Sequence, residues 1–115
     1  MLERKHRLTK NKYFQYIYRK GERVNSTNLY IVYAKTKSKE NRFGIVVSNK
    51  IGKAVQRNLI KRRLRSIVQQ RIGQISQSYN YIIIAKEGIE KLSFDELVKE
   101  LFYCLKKGGF IEKNN

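Results

Sequence analysis

Apolar and polar residues along this chain follow two periods, and the switches between them outline its elements. Residues 11–20 place Tyr13, Phe14, Tyr16, Ile17 and Tyr18 as in a short helix, with Gly21 as its stop. Residues 29–34, Leu-Tyr-Ile-Val-Tyr-Ala, are rich in strand formers. The polar stretch 35–41 predicts a hairpin loop, and 42–49 predicts the next strand, antiparallel to the last. A weaker strand is expected at 23–25. The spacing then changes to a helical one over 55–71, followed by a loop at 73–80. Residues 81–85, Tyr-Ile-Ile-Ile-Ala, predict a buried strand. Ser93 with Glu96 forms a capping-box signature for a last helix, ending near Lys107 before Gly108 and Gly109. The order is α-β-β-β-α-β-α: one α+β domain over 1–115, with a four-stranded mixed sheet packed with helices. Residues 1–10 and 108–115 are expected to be flexible, with 112–115 frayed.

Charge changes this picture most. The chain of 115 residues has 26 Lys and Arg against 9 Asp and Glu, a net charge of +17. A 41% hydrophobic content supports a real core, which excludes a wholly disordered basic tail. No apolar run approaches the roughly 20 residues of a membrane span, and the basic start lacks an apolar signal core. The expectation is a cytoplasmic protein. Its single cysteine, Cys104, suits a reducing compartment and reads as a small core residue.

The cations are also unevenly placed. Residues 42–86 hold Arg42, Lys50, Lys53, Arg57, Lys61, Arg62, Arg63, Arg65, Arg71 and Lys86, and no acid. On a helical wheel Arg57, Lys61, Arg65, Asn58 and Arg62 fall within about 140°. Leu59, Ile60, Leu64 and Ile67 fill most of the rest, Arg63 falls on the apolar side, and Val68 falls just inside the basic arc. Such a helix has one face for a core and one for a polyanion. No acid stands opposite to pair with the cations, so contact with nucleic acid is favoured over a merely solvated face. Asn58 has two readings, a donor to RNA or a cap near the helix start.

Taken together, Lys50, Gly52, Ala54, Val55, Arg57, Asn58, Lys61, Arg62 and Arg65 resemble the Arg-Asn signature of the bacterial ribonuclease P protein family. Leu8, Phe14 and Gly21 resemble the family's amino-terminal helix and its end. Arg42, Phe43, Gly44, Val47 and Ser48 resemble the strand entering the signature, and residues 81–85 the strand leaving it. The resemblance covers about residues 5–107. Three positions depart from the pattern. Asn49 stands where a Lys is usual, Asn80 replaces a common Asp, and Lys86 replaces a common Arg.

The resemblance implies a subunit of the endoribonuclease that removes 5′ leaders from precursor tRNA. The chemistry then belongs to the RNA subunit, with Mg²⁺ bound mainly by RNA and substrate, and no protein residue is catalytic. Lys50, Lys53, Arg57, Asn58, Lys61, Arg62 and Arg65 are expected to meet the catalytic RNA. Phe14, Tyr18, Ile31 and Tyr33 are expected to line a cleft for the leader, because stacking rings beside cations suit a single strand. Plain core packing is the alternative for these rings, and Tyr13, Tyr16 and Tyr30 read as packing or surface. General rules make the crossover between the strands flanking the basic helix right-handed, whereas the resemblance implies a left-handed one. Neither a membrane nor a protein partner is expected.

An autonomous enzyme has little support. His6 is the only histidine and reads as a surface residue in the basic amino-terminal segment. No acid falls in the basic region where a metal-dependent nuclease needs carboxylates. Two other readings remain: a structural protein of ribosomal type that binds ribosomal RNA without affecting cleavage, and a sequence-specific DNA binder. The second lacks the paired helices of a helix-turn-helix unit.

Overall fold

The strand 81–85 is apolar at every position, and this decides the architecture. A strand with no polar face must be covered on both sides and belongs in the middle of a sheet. In the computed structural model, which describes residues 2–111, it does lie there. The main elements are α1 (Asn11–Lys20), β1 (Glu22–Asn25), β2 (Leu29–Lys35), β3 (Arg42–Val46), α2 (Ala54–Gln70), β4 (Tyr79–Ala85) and α3 (Phe94–Lys107). The sheet order is β1-β2-β4-β3. β2 pairs antiparallel with β1 and β4, while β3 runs parallel to β4.

The expected hairpin between β2 and β3 does not form. The two strands run in opposite directions as predicted, but β4 separates them. The half-buried ends of β3 give it a weaker claim to the centre than β4, whose Tyr81, Ile82 and Ile83 are fully buried.

Alternation along the strands divides the core. One sheet face carries Leu29, Ile31, Phe43, Tyr81 and Ile83. It is covered by Ile60, Leu64, Ile67 and Val68 of α2 and by Leu97, Leu101, Cys104 and Leu105 of α3. The other face carries Val32 and Ile82, covered by Ile17 of α1 and by Leu8. Cys104 is fully buried in the first core, and that burial raises its thiol above the ordinary range.

Both expected flexible ends pack where the structure describes them. Leu2, His6 and Leu8 are buried, and the segment lies along the open edge of β3, where Leu8 N donates to Phe43 O at 3.0 Å. This contact covers an edge that would otherwise be free to pair with another chain. His6, expected on the surface, is buried: its Nδ1–H donates to Asn41 O at 2.8 Å and its Nε2 lies 3.8 Å from Glu40 Oε2. Asn41 in turn donates to the Ile75 and Ser76 carbonyls. At the other end Phe110 is buried edge-on against Tyr33, Tyr79 and Tyr81. The expected fraying of 112–115 lies outside the described residues.

Gly21 ends α1, but not by a left-handed turn, since its φ is −80°. A Cβ there would meet the Ile17 and Tyr33 carbonyl oxygens at 2.4 and 2.6 Å. Glycine is needed for the close passage of α1 over β2.

Candidate nucleic-acid interface

The packing of α2 sets the exposure of its cations. Val68, at the margin of the basic arc, is buried with Ile60, Leu64 and Ile67. The buried stripe therefore extends to that margin. The near side of the arc, Arg57 and Lys61, is half-buried, whereas Asn58 and Arg62 on the far side are exposed. Arg57 donates through Nη1 to Gly52 O at 2.7 Å, tying the preceding turn to the helix. Arg63 is half-buried at the rim, as its place on the wheel requires. Lys50 and Lys53 are both exposed in the turn that enters α2. Lys53 occupies the N-cap without a side-chain cap, so the positive end of the helix adds to these cations. Asn58 lies inside α2, beyond the N-cap Lys53, and no side chain caps this helix, which removes its capping reading.

A residue that sequence reasoning passed over completes this surface. Arg7 lines a groove of about 520 Å³ with Asn58, Arg62, Arg65 and Ser66. Its Nε donates to Leu2 O at 2.7 Å, and Glu3 N donates to Gln69 Oε1 at 2.9 Å, so the amino-terminal segment is held against α2. Arg7, Arg62 and Arg65 thus present guanidinium groups to one concavity with no carboxylate in its lining. Guanidinium geometry matches phosphate oxygens bidentately. Among the described residues no Lys or Arg lies within ion-pair distance of a carboxylate, and the one His–carboxylate contact is His6–Glu40.

The expected aromatic cleft is only partly assembled. Phe14 and Tyr18 share one flank of α1, and Phe14 lies directly over Gly44 of β3. A Cβ on Gly44 would sit 2.5 Å from the Phe14 ring, so glycine makes room for it. Ile31 and Tyr33 do not join them. Strand alternation puts both on the opposite face, where Ile31 is fully buried and Tyr33 packs on Phe110, with ring centroids 4.6 Å apart. Tyr33 also donates through its hydroxyl to Glu22 Oε1 at 3.2 Å. Burial, with the Glu22 contact, raises its phenol above the ordinary value.

Tyr30 occupies the α1 face instead, one position out of phase with the expected pair. It is half-buried, with the Arg23 guanidinium 4.3 Å from its ring centroid and Lys86 Nζ at 5.8 Å. Tyr18 stands close enough that burial and Tyr30 together raise its phenol. Val46 and Ile84 form the half-buried floor beside these rings. Strand alternation ties the two together: once packing puts Val32 under α1, Tyr30 must share that face.

No three His, Cys, Asp or Glu side chains gather to hold a metal ion among the described residues. No helix among those residues is long and apolar enough to cross a membrane.

Comparison with known proteins agrees with this geometry. Residues 2–109 match the Ribonuclease P family model. The ribonuclease P protein component of Syntrophomonas wolfei is 36% identical over 114 residues, spanning 99% of this chain and 96% of that relative. The Bacillus cereus protein is 34% identical over 110 residues, spanning 94% and 95%. The solved structure of the Staphylococcus aureus RNase P protein superposes with a TM-score of 0.87 at 30% identity, over 93% of this chain and 98% of that one. The Thermotoga maritima RNase P protein superposes with a TM-score of 0.82 at 27% identity, over 93% and 98%. With residues 2–109 matching the family model and nearly its whole length shared with relatives more than 30% identical, the chain belongs to the ribonuclease P protein family.

Proposed function

We propose that this chain serves ribonuclease P through two surfaces with different tasks. Lys50, Lys53 and the exposed side of α2, with Arg7, grip the catalytic RNA. The Phe14 and Tyr18 flank of α1, with Tyr30, Arg23 and Lys86, holds the 5′ leader of precursor tRNA. Family membership makes the chain a ribonuclease P protein component, a subunit of an endoribonuclease holoenzyme with a role in tRNA 5′ processing. It associates with the ribonuclease P RNA in that role.

The observation that carries the division of labour is the amino-terminal segment along β3. It brings Arg7 to the α2 groove and Leu8 to the core under α1, joining the two surfaces at one sheet edge. Phosphate contacts from α2 position RNA without reading its sequence. Rings and cations on the α1 flank hold a single strand by stacking and charge, tolerant of sequence. In this reading the RNA subunit carries out the hydrolysis and Mg²⁺ is bound by RNA and substrate. The protein favours Mg²⁺ occupancy by holding RNA segments close against their own repulsion.

The test is cleavage of a precursor tRNA by bacterial ribonuclease P RNA at low Mg²⁺, with and without this protein. Stimulated cleavage at the mature 5′ end, with no cutting by protein alone, is expected. Tight RNA binding without stimulation would favour a structural RNA-binding protein. Phe14→Ala is expected to weaken binding of leader-bearing substrate by about 1–3 kcal/mol where a base stacks on the ring. An equal loss for mature tRNA would remove the leader assignment.

A further inference from the structure

Helix α1 has a second flank that the surfaces above leave unused. On a helical wheel Ile17 points at the sheet, with Phe14 and Tyr18 to one side and Tyr13 and Tyr16 to the other. Tyr13 and Tyr16 are 38% and 48% exposed. They line a groove of about 550 Å³ between α1 and the end of β2, with Lys12, Arg19, Lys35 and Lys37 and no carboxylate. Lys12 Nζ lies 5.4 Å from the Tyr13 ring centroid. Asn80, on the α1 face of β4, also lines this groove, and its buried Oδ1 has no hydrogen-bond partner among the described residues.

A merely solvated basic surface accounts for the four cations but not for two open rings set among them. Rings one helical turn apart, flanked by cations, are what a single-stranded nucleic acid needs: a stacking platform in a positive groove. The groove also lies within one helix width, about 10–12 Å, of the Phe14 flank, near enough for one strand to reach both.

We propose that the Tyr13–Tyr16 groove binds single-stranded RNA, namely the part of the leader that lies upstream of the stretch held on the Phe14 flank. This inference rests on the reading of that flank as a leader site. α1 then acts as a rail with a stacking surface on each side, and the groove rewards long leaders over short ones.

The experiment measures the affinity of the reconstituted holoenzyme for precursor tRNAs with leaders of about 4 and about 16 nucleotides, the span of single-strand site sizes in comparable grooves. Tyr13→Ala/Tyr16→Ala is expected to raise Kd for the long leader by about tenfold or more, the fold-change expected for lost base stacking. Kd for the short leader should stay unchanged, and Tyr13→Phe/Tyr16→Phe should keep the wild-type values. Both positions are exposed and alanine favours helix, so a circular dichroism spectrum like wild type is expected. In parallel, 4-thiouridine placed at distal leader positions should crosslink to α1 or to residues 35–37. Equal losses at both lengths, or none at either, would overturn the groove as a leader site. Phe14→Ala separates the two readings, because it should weaken both leaders. If it weakens neither while the tyrosine pair acts on the long one, the groove stands and the assignment of the Phe14 flank fails.

Discussion

Helices α2 and α3 lie on the same sheet face and bury similar apolar stripes, yet they are built on opposite rules. In α3 every local signal agrees. Ser93 and Glu96 exchange the hydrogen bonds of a capping box, Asp95 and Glu96 stand in the first turn, and Lys106 and Lys107 stand in the last. In α2 most such signals are missing. Its N-cap is Lys53, its first turn has no acid, its last turn has no base, and Arg57, Lys61 and Arg65 repel one another at four-residue spacing. α2 is therefore held by Ile60, Leu64, Ile67 and Val68 rather than by its own ends. Local signals that conflict with the fold concentrate where a sequence serves a ligand. Here the conflict falls on the helix that faces the polyanion.

Four measurements would break or sharpen this contrast. The largest effect tests what the helices share. Leu64 and Leu101 are both fully buried, so Leu64→Ala and Leu101→Ala should each lower the unfolding free energy by about 2–5 kcal/mol in urea titrations. A much smaller loss at Leu64 would mean that α2 is not anchored by its core face.

The next effect separates the helices by ligand. Arg62→Ala and Arg65→Ala should each reduce RNA affinity and lower the slope of log K against log salt by about 0.7–0.9 per phosphate contact removed. The exposed Arg62 variant should keep its stability within about 0.5 kcal/mol of wild type, as for surface changes generally. Lys99→Ala, on the exposed side of α3, should leave both quantities unchanged. An unchanged slope in the arginine variants would take α2 out of the interface.

A third comparison exchanges the helix ends. Ser93→Ala should cost about 1 kcal/mol by removing a cap. Lys53→Asp should do the reverse, adding about 0.5–1 kcal/mol by supplying a cap and an acid at a positive helix end. The same substitution should weaken RNA binding. A Lys53→Asp protein that is less stable than wild type would show that α2 is not frustrated at its start.

The smallest effect concerns the core beneath both helices. Burial holds the Cys104 thiol above its ordinary value, so the protonated form is favoured in the folded state. That stability is fully present below the unfolded pKa of about 8.5 and is lost as pH rises toward the folded value. The urea midpoint should therefore decline above about pH 8.5, and Cys104→Ala should flatten that decline. Tyr81, whose phenol is raised by burial against the lowering effect of its bond to Ser76, should extend the decline into the tyrosine range.

The sequence by itself determined the element types, the capped last helix, the basic helix with its apolar and cationic faces, and the family resemblance. These rest on contacts between residues near in sequence, where helical spacing, caps and strand composition act directly. Even the parallel pairing of the strands flanking α2 was legible, because a helix of that length joins them. Only the tertiary structure placed β4 between β2 and β3, because a polar loop allows a hairpin without requiring one. Only it chose Tyr30 over Tyr33 for the α1 face. Alternation states which residues of a strand share a side, but packing against Phe14 and Ile17 decides which side meets the helix. Arg7 shows the same limit. In sequence it is one cation in a basic segment, and its place beside Arg62 and Arg65 comes from the burial of Leu2, His6 and Leu8 around it.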